Sequence, residues 1–331
     1  MGISCGVDVG GTKSLAIVVD SERPTHIMRR SEVPTAARDP GGFGTAITGL
    51  VREVCDGLGV GSVGIGLPGL VDRDGVLRFG PHLPGLVDVP VGAVVAERLG
   101  LAVSVGNDAE CATLAEFLCG AGRGVGELLL VTLGTGIGGG LVMRGSPYIG
   151  AGGFAAEVGH MVVDSSGPRC ACGRSGCWEV FASGSALDRR ARGAALEGGL
   201  RAAVRLAGGD PSAVTGRHLA DAALAGDAEA RELIDEFSES VALGLGNLVN
   251  VLDPGLVVIG GGLSRLGSLL VDPVRRRLAR HSIGGERRTP EVVPAALGPD
   301  AGAIGAALLA TRHERRVASG RRVSEDPDAE G

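Results

Sequence analysis

A chain of 331 residues with 44% apolar side chains, 21% charged and a formal net charge of −6 holds enough core material for two packed lobes, which excludes a disordered polymer. Its mild acidity speaks against a general nucleic-acid or anionic-membrane surface. The longest charge-free run, Leu128 to Met143, is too short and too rich in glycine to span a bilayer.

The first charge is Asp8, inside an apolar run, so the basic start of a secretion signal is not expected and the chain reads as soluble and cytoplasmic. Residues 3–9 and 14–20 read as two strands around a Gly-Gly turn, with a third extended segment over 25–33. Apolar positions at Phe43, Ile47, Leu50, Val51 and Val54 repeat at helical period, so 40–57 reads as a helix stopped by Gly57 and Gly59. A buried strand over 62–67, a helix over 90–99 and a strand over 102–105 follow. That strand ends at Asn107-Asp108, just before a further helix through Leu118. Strands and helices in alternation imply an α/β sheet with helices on its faces.

A second opening of the same kind begins near Gly120. A strand over 127–133, a Gly-rich turn over 134–139 and a strand over 140–143 repeat the plan of residues 3–20, which suggests an internal duplication. A helical stretch reaches about Leu252. A strand over 255–259, the turn Gly260-Gly261-Gly262, another helix and a last helix over 302–312 complete the pattern. The tail from Glu314 is Arg-rich, then acidic, and reads as solvated and disordered.

Glycine turns are cheap in a chain with 59 glycines. Chance alone supplies a Gly-x-Gly-x-x-Gly about twice. Company gives them weight. In Asp8-Val9-Gly10-Gly11-Thr12-Lys13, the glycines let backbone N–H groups approach phosphate oxygens, Thr12 adds a hydroxyl and Lys13 a cation. Asp8 could hold Mg²⁺ directly or through water. A plain hairpin turn with a polar rim fits this motif equally well. Gly134, Thr135, Gly136, Gly138 and Gly139 repeat the logic in the second half. Gly261 and Gly262, at a strand's carboxyl end, add a third such place, where nucleotides tend to sit in α/β sheets.

The cysteines are more specific. There are seven, an odd number with no secretion signal, so a disulfide framework is not expected. Cys170, Cys172 and Cys177 form a Cys-x-Cys-x₄-Cys run that composition alone would give in about three chains per thousand. With His160 they make a closed donor set for structural Zn²⁺, leaving no position for water. Unmetallated thiols are the alternative. Two acids stand close by in sequence, Glu157 before His160 and Glu179 after Cys177. Carboxylates, an amide and an imidazole together suit a polyhydroxylated ligand, whose hydroxyls each need a donor or acceptor. Asp108 lies at a strand-to-helix junction, where a helix N-cap is the commoner role for an aspartate.

Asp8 to Lys13, Asn107-Asp108, Gly134 to Gly140, Glu157-Val158-Gly159-His160 and the run Cys170 to Glu179 together resemble the ROK family of sugar kinases. The match extends in order over roughly residues 3–312. The segment from Ala156 through Gly184 is especially similar to the actinobacterial glucokinases of that family. The resemblance implies a two-lobed, actin-like ATPase fold (hexokinase-type, ribonuclease H-like) with a cleft between the lobes. It implies a small lobe over 1–119 joined by a C-terminal helix at about 300–312, and a large lobe over 120–299 carrying the zinc loop 160–177. It further implies ATP and Mg²⁺ as cofactors and a homodimer or tetramer as the assembly. Neither nucleic acid nor membrane is an expected partner.

By the same resemblance Asp108 is the general base toward the 6-hydroxyl of a hexose, glucose first and an N-acetylhexosamine second. Asn107, Glu157, His160 and Glu179 join Asp108 in contacting the sugar. His160 then serves two ligands, with one ring nitrogen on zinc and the other toward the sugar. Three positions depart from the family pattern: Glu110 replaces a common Asn, and His82 and Pro84 alter the expected sugar rim. A phosphate turn already at Gly10 leaves no room for the DNA-binding segment of the family's repressors. A non-catalytic sugar sensor is the rival of another class, and an actin-like ATPase without a sugar substrate is a third reading.

Overall fold

The computed structural model describes residues 2–35, 40–81, 83 and 85–318. In chain order the elements begin with β1 (Ile3–Val9), β2 (Lys13–Asp20), β3 (Arg23–Pro34), α1 (Pro40–Cys55), β4 (Val60–Leu67), β5 (Leu70–Val71), β6 (Leu77–Phe79) and β7 (Val87–Val89). Next come α2 (Val91–Leu99), β8 (Ala102–Asn107), α3 (Asp108–Cys119), β9 (Leu128–Leu133), β10 (Ile137–Met143) and β11 (Ser146–Tyr148). The remainder is α4 (Glu179–Ala182), α5 (Gly184–Leu196), α6 (Arg201–Leu206), α7 (Gly216–Leu224), α8 (Ala228–Leu252), β12 (Leu256–Gly260), α9 (Ser268–His281), β13 (Glu291–Pro294) and α10 (Ala301–Ala318). Short strands β5, β6, β7, β11 and β13 were not anticipated, because two to four residues carry too little periodicity to register. The last helix runs to Ala318 instead of ending at Arg312. The rest of the tail, 319–331, and the departures at His82 and Pro84 lie outside the described residues.

Two units emerge, and each has its own sheet. The first unit comprises residues up to Cys119, Ile149–Ala155 and the segment from Asp300. The five strands of its larger sheet lie in the order β3-β2-β1-β4-β8, and β5, β6 and β7 form a smaller sheet in that order. The pairs β3–β2 and β2–β1 are antiparallel, while β1–β4 and β4–β8 are parallel. The apolar stripe of α1 (Phe43, Ile47, Leu50, Val51, Val54) is buried, as its helical spacing requires. The segment 149–155, expected with residues 120–299, groups here instead. Arg73 donates twice to the Gly150 carbonyl, at 2.6 and 3.2 Å. Gly153 lies so close to the backbone at Val71 that a Cβ would sit 2.8 Å from its oxygen.

Helix α10 rests directly on this sheet because glycines remove the spacing side chains. A Cβ on Gly6 of β1 would fall 1.9 Å from the Ala303 oxygen, and one on Gly64 of β4 would fall 1.7 Å from that of Ala306. On its other flank Gly305 meets the Cys111 carbonyl of α3, at 1.6 Å from the same virtual position. Backbone-to-backbone packing of this closeness leaves little slack for the strand ends that the helix covers.

The second unit, Gly120–Tyr148 and Ala156–Pro299, repeats the plan strand for strand. Its order is β11-β10-β9-β12-β13, again antiparallel twice and then parallel twice. Helices α5, α7, α8 and α9 supply its core around the fully buried Trp178, Phe237 and Leu245. Asp227 caps α8, its Oδ1 accepting from the Ala230 N–H at 2.9 Å. Arg277 of α9 clamps α8 by pairing with Asp235 and, at 3.1 Å, with Glu239. Among the described residues no helix is long and apolar enough to cross a membrane.

Candidate functional site

In the first unit the chemistry gathers at the carboxyl ends of the parallel strands β1, β4 and β8. Asp8 is the penultimate residue of β1, and Gly10 closes the following turn by donating to the Lys13 carbonyl at 2.8 Å. Thr35 reinforces that turn through its hydroxyl to the Gly10 carbonyl, at 2.8 Å. Lys13 turns outward and pairs with Glu32 at 2.9 Å, its side chain 63% exposed. At the end of β8, Asn107 does the capping. Its Oδ1 accepts from the N–H groups of Ala109 and Glu110 at 2.8 and 3.1 Å, and its amide donates to the Gly69 carbonyl at 3.0 Å. Asp108 is thus the first residue inside α3 and not its cap, with Oδ1 taking the Ala109 N–H at 2.9 Å. The helix N-terminus favours a carboxylate there.

Asp8, Asp108 and Glu110 meet around Cys111, whose thiol is pushed up by burial and then by the charges of Glu110, Asp8 and Asp108. The Glu110 carboxyl is itself raised by burial. Asp8 lies against the first turn of α10, where a Cβ on Gly302 would come within 2.6 Å of its Oδ2. Burial lifts the Asp8 carboxyl from 3.8 to about 6, against the downward pull of Lys13. Because its folded value is raised, the stability that Asp8 contributes is full below about pH 4 and is lost as pH rises through about 6. Asp8→Asn should therefore be more stable than the parent at pH 7.5 by roughly 1–2 kcal/mol, a discounted conversion for a partly exposed group. The gap should narrow as pH falls toward 4. Urea unfolding at the two pH values measures it, and an Asn variant less stable at pH 7.5 would refute the burial cost.

In the second unit, the turn after β9 is closed by Gly134 donating to Gly136 at 3.0 Å. Gly261 lies alongside the end of β9, with φ 77° and no space for a side chain against the Leu133 backbone, which a Cβ would reach at 2.6 Å. Gly262 faces open space. The structure therefore brings two of the three glycine turns together within this unit. Glu179, at the start of α4, reaches back so that its Oε2 accepts from the Ile137 N–H at 2.9 Å. Ala156, left-handed at φ 66°, sets the backbone into Glu157, whose Oε2 lies 3.9 Å from His160 Nε2. Partial burial raises the Glu157 carboxyl, His160 pulls it back and Glu179 pushes it up again. Glu157, His160 and Glu179 are thus neighbours.

The opposite side of the His160 ring faces the cysteines. Nδ1 is 3.7 Å from Cys170 Sγ, and the Sγ atoms of Cys172 and Cys177 are 3.5 Å apart. All four donor atoms lie within 4.8 Å of one another. Zn–S bonds of about 2.3 Å place the corners of a tetrahedron about 3.8 Å apart, so this set fits zinc. Against the raising effect of burial, Arg174 N–H groups bring the Cys172 thiol down to about 6, toward the thiolate that binds metal. A turn from Cys170 to Gly173, closed at 3.0 Å, and a bridge between Val162 and Cys177 shape the loop. Trp178 then anchors it. Its indole N–H donates to the Ser240 carbonyl of α8 at 2.7 Å, and the ring occupies the space that a Cβ on Gly244 would need.

Sequence reasoning did not assign site roles to Trp178 or Ser185. Their partners lie 62 and 50 residues away in the chain, and no local spacing signals such a contact.

The fold and this distribution of residues belong to a recognisable class. The sequence profile described as the ROK family matches residues 4–313. A glucokinase from Streptomyces coelicolor is 39% identical over 314 residues, 94% of this chain and 98% of the relative. An N-acetyl-D-glucosamine kinase from Pectobacterium carotovorum is 34% identical over 319 residues, 92% of this chain and 97% of the relative. Among solved structures, a ROK family glucokinase from Streptomyces griseus in complex with glucose and AMPPNP matches with a TM-score of 0.87 at 38% identity, covering 94% of this chain and all of that one. The chain belongs to the ROK family, and its fold is the two-lobed, actin-like α/β fold of sugar kinases.

Proposed function

We propose that this protein is an ATP-dependent hexose kinase that phosphorylates glucose at its 6-hydroxyl, with Asp108 as the base. The reading is carried by the division of labour at the end of β8. Asn107 takes the cap of α3, and Asp108 follows it as the first residue of the helix, at the carboxyl end of β8. The full-length similarity to glucokinases supports the same activity.

Asp108 accepts the proton of the 6-hydroxyl as that oxygen attacks the γ-phosphorus. The bond from phosphorus to the β,γ-bridging oxygen breaks, and ADP leaves with the electron pair. Asn107, Glu157, His160 and Glu179 hold the sugar hydroxyls, which converts a collision into a positioned attack. Asp8, Gly10, Gly11, Thr12 and Lys13 receive the nucleotide phosphates together with Gly134, Thr135, Gly136, Gly138 and Gly139, in the turn after β9 and the start of β10, and with Gly261 and Gly262. Asp8 would hold the Mg²⁺ carried with the nucleotide, and that ion would supply neutralisation of the phosphate charge. His160, Cys170, Cys172 and Cys177 hold a structural Zn²⁺, whose contribution is to fix the orientation of the His160 ring. The protein acts in the cytoplasm as a homo-oligomer, a dimer or tetramer.

ADP release should be measured with Mg-ATP across glucose, mannose, fructose, N-acetylglucosamine and N-acetylmannosamine. Glucose is expected to give the largest kcat/KM. A preference for N-acetylglucosamine would move the substrate to the second reading, which the Pectobacterium relative favours. Silence across the panel with glucose still binding would overturn catalysis in favour of a sugar sensor.

A further inference from the structure

The segment that follows the Cys loop also grips the turn after β9. The Gly134 carbonyl accepts from the Gly184 N–H at 2.7 Å, and the Thr135 carbonyl accepts from the Ser185 hydroxyl at 2.7 Å. Glu179 takes the Ile137 N–H on the turn's other limb. Side chains are excluded at this joint. A Cβ on Gly136 would lie 2.2 Å from Glu179 Oε2, and one on Gly184 would lie 2.6 Å from the Gly134 oxygen. In a planar trans peptide the C=O and the following N–H point in opposite directions. Holding the carbonyls of Gly134 and Thr135 toward α5 therefore turns the N–H groups of Thr135 and Gly136 away from it, as free-facing donors of the kind that receive phosphate oxygens.

We infer that Glu179 is a positioning residue for the phosphate-receiving turn, so that the Cys loop governs nucleotide binding as well as sugar binding. This rests on the kinase reading of the turn after β9. Glu179 keeps one limb of the turn in place through Ile137, Gly184 and Ser185 keep the other, and all three follow directly from the metal-holding loop. Nucleotide affinity consequently depends on Glu179 even when no sugar is present. A Glu179 that only contacted hexose would have no such effect.

The test is calorimetric binding of Mg-AMPPNP in the absence of sugar. Glu179→Ala removes the acceptor for the Ile137 N–H and should weaken AMPPNP binding about tenfold or more, the usual consequence of stranding such a donor. Glu179→Gln keeps an acceptor oxygen and should hold AMPPNP affinity within about threefold of the parent. Both variants should bind glucose more weakly. Ser185→Ala removes a single exposed hydroxyl, folds independently of the carboxylate, and should weaken AMPPNP about threefold to fivefold. Equal AMPPNP affinity in the parent, Glu179→Ala and Ser185→Ala would overturn the inference while leaving the kinase reading intact. If Glu179→Ala does not fold, unchanged affinity in Ser185→Ala overturns it alone. A folded parent that binds no AMPPNP and releases no ADP would overturn the kinase reading itself, and the inference with it.

Discussion

Asp108→Asn should lose about 10²–10⁴-fold in kcat, the range supplied by a positioned general base, while its KM for glucose stays within a few-fold. The asymmetry follows from geometry. The amide has the size of the carboxylate and can still hydrogen-bond the 6-hydroxyl, so the ground-state complex survives. It cannot take the proton, so attack on phosphorus must proceed from an unassisted alcohol. Stability should barely change. Asn107 caps α3 and still does so in the variant, and the loss of a negative charge from the helix's first turn is worth about 0.3–1 kcal/mol. Steady-state ADP release together with glucose calorimetry measures both quantities. Turnover within tenfold of the parent would remove Asp108 as the base, and loss of glucose affinity in step with kcat would make it a binding group instead.

Cys172→Ser should drop bound zinc from one per chain to none and destabilise the second unit by roughly 3 kcal/mol or more, about 6–12 °C in Tm for a unit of this size. The loop from His160 to Cys177 has little buried apolar surface apart from Val163 and the two ends, so its shape depends on the donor set and a few turn hydrogen bonds. With one donor gone, His160 loses its fixed ring and Arg169 and Arg174 become open to trypsin. Glucose affinity should fall with zinc content. Elemental analysis, thermal unfolding and limited trypsinolysis read three consequences of one cause. Full zinc in the variant would dismiss Cys172 as a ligand. An unchanged trypsin pattern with zinc lost would show that the loop holds itself.

Some of this was readable early because it is local. Three cysteines within eight positions, each separated by residues that permit a tight loop, restrict the chemistry to metal or thiols whatever lies around them. The strand, glycine turn and strand at both openings likewise depend on neighbours in sequence, and the two sheets do share one strand order. The division between Asn107 and Asp108 was not readable in that way. Either residue type caps a helix, and which of them does so depends on where β8 stops against β4 and Gly69.

Residue types and their spacing were sufficient for the donor set at His160, Cys170, Cys172 and Cys177, for the glycine turns and for the alternation of strands and helices, since bond geometry acts over a few residues. Only tertiary packing decided that Asp8, Asp108 and Glu110 converge on Cys111, that Lys13 pairs with Glu32, and that Ile149–Ala155 joins the first unit. The same holds for the grip of Glu179 and Ser185 on the turn after β9. Those contacts join residues 42 and 50 positions apart. They exist because Trp178 seats the end of the Cys loop against α8 at Gly244 and because Gly136 and Gly184 leave room for the close approach, and no periodicity along the chain carries that information.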